Sequence, residues 1–242
     1  MECNDGVAQG RNEAFRTSRR SFLGTGLAGG VASLIAGLAA EEAFAPRASA
    51  QTPLTPDEAL KELMDGNARF VEGRLTSFEH DLQILKSHTV DKQEPFAALL
   101  SCADSRVPVE LIFDQSIGHL FVTRVAGNMA TPEIIGSLEY GAAVLGTKVI
   151  LVLGHASCGA VKATMQGKAV PGQISSLFPH IQPAVDKAGH DLEMAIAENA
   201  RIQATLLREA SPVLAEMVRE DHLKIVAGTY DLGTGRVTLL EG

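Results

Sequence analysis

Tryptophan is absent from the sequence and tyrosine occurs only twice, which leaves few aromatic faces on which a nucleobase could stack. Positive charge is also short. The 21 Lys and Arg residues face 29 Asp and Glu, and the formal net charge of −8 argues against nucleic acid or anionic lipid as a main partner. Cysteine appears just three times. What remains, 45% hydrophobic and 21% charged over 242 residues, suits a soluble globular protein with one domain's worth of core and an appendage.

The appendage is N-terminal. "RTSRRSFLG" pairs Arg19 with Arg20 ahead of Phe22 and Leu23, and Ser21 to Ala40 carry no charge and five glycines. "PRASAQ" then offers a small-x-small cleavage site after Ala50. This order predicts an export signal over 1–50 of the twin-arginine type, and a mature chain of 51–242 outside the cytoplasm, in the periplasm or an equivalent space. A retained anchor is the alternative, but the glycine load makes a poor membrane helix, so no stable membrane association is expected after cleavage. Cys3 would leave with the signal, so Cys102 and Cys158 are the cysteines of the mature chain.

In that chain "TPDEALKELMDGNARFVEG" (55–73) opens with Thr55, Pro56 and Glu58, an N-cap, a first-turn proline and a capping-box acid. Leu60, Leu63, Met64 and Phe70 follow at helical spacing. A weaker helix is expected over 78–88. Strand-length apolar runs lie at 96–101, 119–125 and 148–154, the last rich in β-branched residues and apolar without a break from Val149 to Leu153, as in a strand buried on both faces. Helices are expected over 131–146, 191–210 and from Pro212, and two closing strands flank the turn "LGTG". The alternation predicts an α/β fold, a mainly parallel sheet flanked by helices with an antiparallel hairpin at its edge.

"SCADSRVP" (101–108) sets Cys102, Asp104 and Arg106 in alternate positions after one buried strand; "HASCGAVKA" brings His155 and Cys158 after another. The carboxyl ends of parallel strands share an edge, where ligand sites gather, so the three donors can converge. Two thiolates and an imidazole make three zinc ligands and leave a fourth position open. Asp104 could fill that position or stand beside it, held off by a bidentate pair with Arg106. A Cys102–Cys158 disulfide, a helix-capping His155 and a surface Asp104–Arg106 pair are the rival explanations, each separate. The metal explains all of them with one cause.

"CADSRVP", "RVAGN" (124–128), "SLEYG" (137–141), "GHASCGAV" (154–161), "ENARIQ" (198–203), "SPVLAEMV" (211–218) and "GTYDLGTGRV" (228–237) together resemble the β-class carbonic anhydrases, in order, from about 55 to 240. The resemblance implies one Zn2+ per subunit on Cys102, His155 and Cys158, with Asp104 and Arg106 as the catalytic carboxylate–guanidinium dyad. In a closed state of some members the aspartate itself ligates the metal. It further implies a substrate pocket with Gln93, Phe121, Ala126, Tyr140 and Gly159. Gln93 matches the glutamine that in plant-type members bonds bicarbonate across a dimer interface, and Ala126 is smaller than the plant-type valine. A homodimer or higher homo-oligomer is implied, with an N-terminal helical arm over about 55–90.

The expected reaction is reversible hydration of carbon dioxide to bicarbonate and a proton, by attack of zinc-bound hydroxide. Two thiolates cancel the metal's formal charge, so activity should rise on the alkaline side of neutral. His80, His88 and His119 are the candidate proton shuttles. Hydrolysis of carbonyl sulfide or carbon disulfide on the same site is the nearest alternative. A non-catalytic zinc or bicarbonate-binding scaffold is the more distant one, disfavoured because such a scaffold needs neither the dyad nor Gln93.

Overall fold

Continuous apolar runs become the centre of the sheet. In this computed structural model, which describes residues 52–77 and 93–241, "AALLS" forms β1 (Ala97–Ser101) and "VILVLGH" forms β3 (Val149–His155), with every residue of both buried. β2 (Leu120–Arg124) and β4 (Lys224–Tyr230) pair parallel on either side, and β5 (Val237–Leu240) closes one edge antiparallel, giving the order β2-β1-β3-β4-β5. The expected α/β sheet and its antiparallel edge are both present. The leader, its boundary after Ala50 and the expected helix over 78–88 lie outside the described residues.

Side-chain alternation splits the sheet into two dry faces. Ala97, Leu99, Val149, Leu151 and Leu153 pack with Ala59 and Leu63 of α1 (Pro56–Val71). Ala98, Leu100, Ile150 and Val152 pack with Ala200, Ala204 and Leu207 of α6 (Leu192–Ala210) and Leu214 of α7 (Pro212–Arg219). Between them in the chain come α2 (Val109–Ile112), α3 (Pro132–Glu139) running into a π turn over Tyr140–Val144, α4 (Gly159–Gln166) and α5 (Phe178–Ala188).

The capping chemistry read from the sequence holds α1 as expected. Glu58 N–H donates to Thr55 Oγ1 at 3.3 Å while Thr55 N–H donates to Glu58 Oε2 at 2.8 Å. The helix then docks on its own sheet through Asn67, a buried amide. It donates to the carbonyls of Ile112 (3.1 Å) and Gly235 (2.9 Å) and accepts from Val237 N–H (2.8 Å). Gly66 permits the close approach: a Cβ there would stand 1.9 Å from the carbonyl oxygen of Phe113.

Helix α5 has no counterpart in the sequence reading, because Pro179 and Pro183 in "FPHIQPAVDKA" look like breakers. Pro179 falls in the first turn, where its missing N–H costs nothing, and Pro183 is tolerated because Ile181, Ala184, Val185 and Ala188 are buried. Tertiary burial outweighs local propensity here.

One carboxylate ties the end of α1 to the rest. Asp114, its side chain fully buried and its backbone left-handed at φ +46°, accepts from Arg69 Nε at 2.5 Å and from the N–H and hydroxyl groups of Thr76 and Ser77 at 2.8–3.0 Å. Burial alone would raise its pKa, but the Arg69 guanidinium and those donors outweigh burial and hold it below the usual carboxylate range. A depressed folded-state pKa contributes stability above the unfolded value, lost as pH falls through the folded one. Asp114→Asn is therefore expected to lower the unfolding free energy by about 1–3 kcal/mol at pH 7. The deficit should shrink below about pH 4, where the unfolded carboxyl protonates; denaturant titration at the two pH values measures both.

Candidate metal centre

The register of β1 on β3 builds the site. Ser101 pairs with Leu153, so the chain leaves β1 at Cys102 just as β3 runs out at His155, on the same edge of the sheet. Ser157 then turns with a left-handed φ of +56°, and Cys158 becomes the N-cap of α4. Cys102, His155 and Cys158 are all buried, and their donor atoms lie within 4.8 Å of one another. Both cysteines are free thiols, which removes the disulfide explanation.

These residues fit a zinc ion. A tetrahedral zinc with bonds of roughly 2.0–2.3 Å wants donors roughly 3.5–3.8 Å apart, a spacing compatible with donors that all lie within 4.8 Å. His155 Nδ1 lies 3.0 Å from the carbonyl of Ala156, which places the ring proton on Nδ1 and leaves a lone pair on Nε2. That Nε2 is buried without a hydrogen-bond partner, a cost the protein would not bear for structure alone.

The thiols share one ionisation without a metal. A hydrogen bond from Cys158, helped by His155 and by Gly127 N–H, pulls the Cys102 thiol down despite its burial. The bond to the Cys102 thiolate, and then burial, push Cys158 up. Burial also pulls His155 down, but Cys102, the Ala156 carbonyl and Asp104 overcome it and its pKa is raised. A divalent cation resolves this conflict by accepting both thiolates and the neutral imidazole together.

Asp104 and Arg106 meet as the sequence suggested. Arg106 Nε donates to Asp104 Oδ1 at 2.9 Å and Nη2 to Oδ2 at 2.8 Å, with Arg106 N–H adding a third bond to Oδ1 at 2.9 Å. Oδ2 still lies only 3.8 Å from His155 Nε2. The carboxylate thus stands beside the donor set with its oxygens directed to the guanidinium. Arg106 holds its carboxyl well below the usual range.

The pocket candidates divide. Ala126 precedes Gly127, whose N–H donates to Cys102 Sγ at 3.4 Å, and Gly159 follows Cys158; both adjoin the cluster. Gln93 is exposed four residues before β1, at the opposite end of that strand from Cys102. Phe121 pairs with Ala98 near the start of β2, so about 10 Å of strand separates it from the site's edge. Tyr140, 46% exposed, packs against Phe121 with ring centroids 6.2 Å apart. His119 lies at the same far edge, against Phe96 and Gln115, while His80 and His88 fall outside the described residues.

Arg124, the first residue of "RVAGN", has a role that no sequence motif singles out. Its Nε donates to the carbonyl of Cys102 at 3.0 Å and its Nη2 to that of Asp104 at 2.5 Å, which clamps the Cys102–Asp104 loop from the end of β2. A lone cation ending an apolar strand was the available signal.

With zinc bound, Cys102 and Cys158 are expected to resist alkylation until a chelator is added. Denaturation without reductant should then release both as reactive thiols by peptide mapping. Resistance that survives both denaturant and chelator would mean a disulfide.

The comparisons agree with this geometry. The carbonic anhydrase family model matches residues 97–237. A carbonic anhydrase of Mycolicibacterium smegmatis is 36% identical over 192 residues, covering 76% of this chain and 93% of its own. Carbonic anhydrase 2 of Mycobacterium tuberculosis is 35% identical over 194 residues, covering 76% and 92%. Among solved structures, the β-carbonic anhydrase CcaA superposes with a TM-score of 0.59 at 26% identity, covering 76% of this chain and 95% of that one. The Coccomyxa β-carbonic anhydrase in complex with acetazolamide gives 0.59 at 25% identity, covering 75% and 86%. With its family match, its relatives and its cysteine–histidine–cysteine cluster at one sheet edge in agreement, the chain belongs to the β-class carbonic anhydrase family.

Proposed function

We infer that this protein is a zinc-dependent carbonate dehydratase, hydrating carbon dioxide reversibly to bicarbonate and a proton. The observation that carries the reading is the buried Cys102–His155–Cys158 donor set with the Asp104–Arg106 pair beside it. Cys102, His155 and Cys158 would hold the zinc. Zinc held there supplies the Lewis acidity that makes water nucleophilic, less strongly than on three neutral imidazoles because two thiolates cancel its charge.

The chain's own groups do the rest. Asp104, kept ionised by Arg106, can only accept hydrogen bonds, so it takes one from the attacking water and turns a lone pair towards the carbon of the substrate. Arg106 also competes for both carboxylate oxygens and so keeps Asp104 from closing the fourth metal position. At Gly159 a Cβ would meet nothing within 4 Å, which leaves room beside Cys158 for a small linear substrate.

Gln93, Phe121 and Tyr140 lie at the far end of their own sheet, and we propose that they line the site of a second copy instead, in a homodimer or larger homo-oligomer. Exposure of Gln93 and Tyr140 supports that arrangement. Among the described residues no helix is long and apolar enough to cross a membrane. Export by the twin-arginine route remains our proposal from Arg19, Arg20 and the uncharged segment that follows; folding around zinc before export would protect the thiols from oxidation.

Stopped-flow hydration of carbon dioxide by the zinc-loaded protein tests the reading. The rate is expected to rise through the alkaline side of neutral. Asp104→Asn and Arg106→Ala should each lower kcat/KM by roughly 100-fold or more while retaining zinc. A flat pH profile with undiminished variants would contradict the assigned roles. A zinc-loaded protein inert towards carbon dioxide but active on carbonyl sulfide or carbon disulfide would transfer the site to those substrates.

A further inference from the structure

"ENARIQ" places Asn199 and Gln203 four residues apart, on one face of α6, and both side chains are buried among apolar neighbours. Two neutral amides at such positions are costly unless fully engaged. They are engaged with the loop that touches the metal donors. Asn199 Nδ2 donates to the carbonyl of Gly127 at 2.8 Å. Gln203 Oε1 accepts from Ala130 N–H at 2.9 Å, and its Nε2 reaches the carbonyl of His180 at 3.1 Å and Asn199 Oδ1 at 3.3 Å. Gly127 is the residue whose N–H points at Cys102 Sγ.

One turn hydrogen bond, Asn128 N–H to the Val125 carbonyl at 2.9 Å, closes that loop from within. Gly127 takes its φ of +79° freely, but Asn128 follows at +42°, a left-handed conformation that costs a non-glycine residue and persists where its surroundings enforce it. The Asn128 Nδ2 group is buried without a partner, an additional cost of the same conformation. On the other side Ile181 closes in, since a Cβ on Gly127 would stand 2.6 Å from its Cδ1. The loop is thus wedged between α5 and the two amides of α6. The Gly127 carbonyl and N–H belong to neighbouring peptide units, so the link from Asn199 to the sulfur is one of position.

We propose that Asn199, braced by Gln203, is a positioning residue for the zinc site: it fixes the Gly127 N–H against Cys102 Sγ and thereby sets how tightly Cys102, His155 and Cys158 hold the metal. This rests on the zinc reading of the cluster. Outer-shell partners of metal ligands commonly tune affinity by about 10- to 100-fold, and a hydrogen bond to a ligating sulfur restrains both its direction and its charge. Asn199 touches neither substrate nor metal, and it acts only through the loop.

The test compares two buried amides on opposite faces of the sheet. Asn199→Leu removes the bond to Gly127 at similar volume, and Asn67→Leu removes the unrelated bonds of α1 to Ile112, Gly235 and Val237. Zinc affinity is read by chelator competition, the thiolate-to-metal charge-transfer band after cobalt substitution, and stability by thermal unfolding. Both variants should melt earlier. Only Asn199→Leu should also bind zinc on the order of tenfold more weakly and shift the cobalt–thiolate band. Should Asn199→Leu fail to fold, Gln203→Met, which removes the brace alone, is expected to move affinity and band in the same direction by less. Wild-type affinity and an unshifted band in a folded Asn199→Leu, or in Gln203→Met where only that variant folds, would overturn the proposal. So would an equal loss of zinc in Asn67→Leu. Failure of the zinc reading is separately visible, because the unaltered protein would then bind neither metal.

Discussion

Parallel pairing of β1 with β3 is the constraint on which the rest depends. With Ser101 opposite Leu153, the residues that follow each strand emerge side by side, and Cys102 meets His155 although they are far apart in the chain. A slip of one residue would exchange the two faces of a strand whose every side chain is buried. It would also carry Cys102 away from the imidazole. The apolar packing that fixes this register, Leu99 and Leu151 towards α1 and Leu100 and Val152 towards α6, is therefore also what positions the metal donors.

Around that edge the protein arranges opposing electrostatic demands. The hydrogen bond between the thiols favours the Cys102 thiolate at the expense of Cys158, and burial disfavours both, while Gly127 N–H and His155 help Cys102 and the start of α4 helps Cys158. Only a cation satisfies both sulfurs together. A few ångströms away, the opposite solution is used for Asp104, whose charge is stabilised by Arg106 so that it stays an acceptor. With one anionic group given to a guanidinium, a zinc held by Cys102, His155 and Cys158 would have three protein ligands and room for chemistry at a fourth position.

Much of this was legible in the residues themselves. The continuous run "VILVLGH" announced a central strand, the Thr55–Pro56–Glu58 cap announced α1, and the strand-end placement of Cys102, His155 and Cys158 announced the cluster. Helix α5 was hidden because Pro179 and Pro183 argue locally against a helix, and only the burial of Ile181, Ala184, Val185 and Ala188 restores it. Asn199 and Gln203 stood in a quoted motif without an assigned role, since that role depends on a loop some seventy positions earlier coming to rest against α6. Non-local contacts of that kind leave no periodic trace. Gln93, Phe121 and Tyr140 have the same difficulty in stronger form, because their proposed neighbours belong to another copy of the chain.

X-ray absorption at the zinc edge of the purified protein reads directly whether two sulfurs and one imidazole nitrogen hold a zinc ion at this edge of the sheet. Two sulfur scatterers at about 2.3 Å, one histidine nitrogen at about 2.0–2.1 Å and one further light atom are expected. Absence of bound zinc, or a first shell without sulfur, would contradict this coordination.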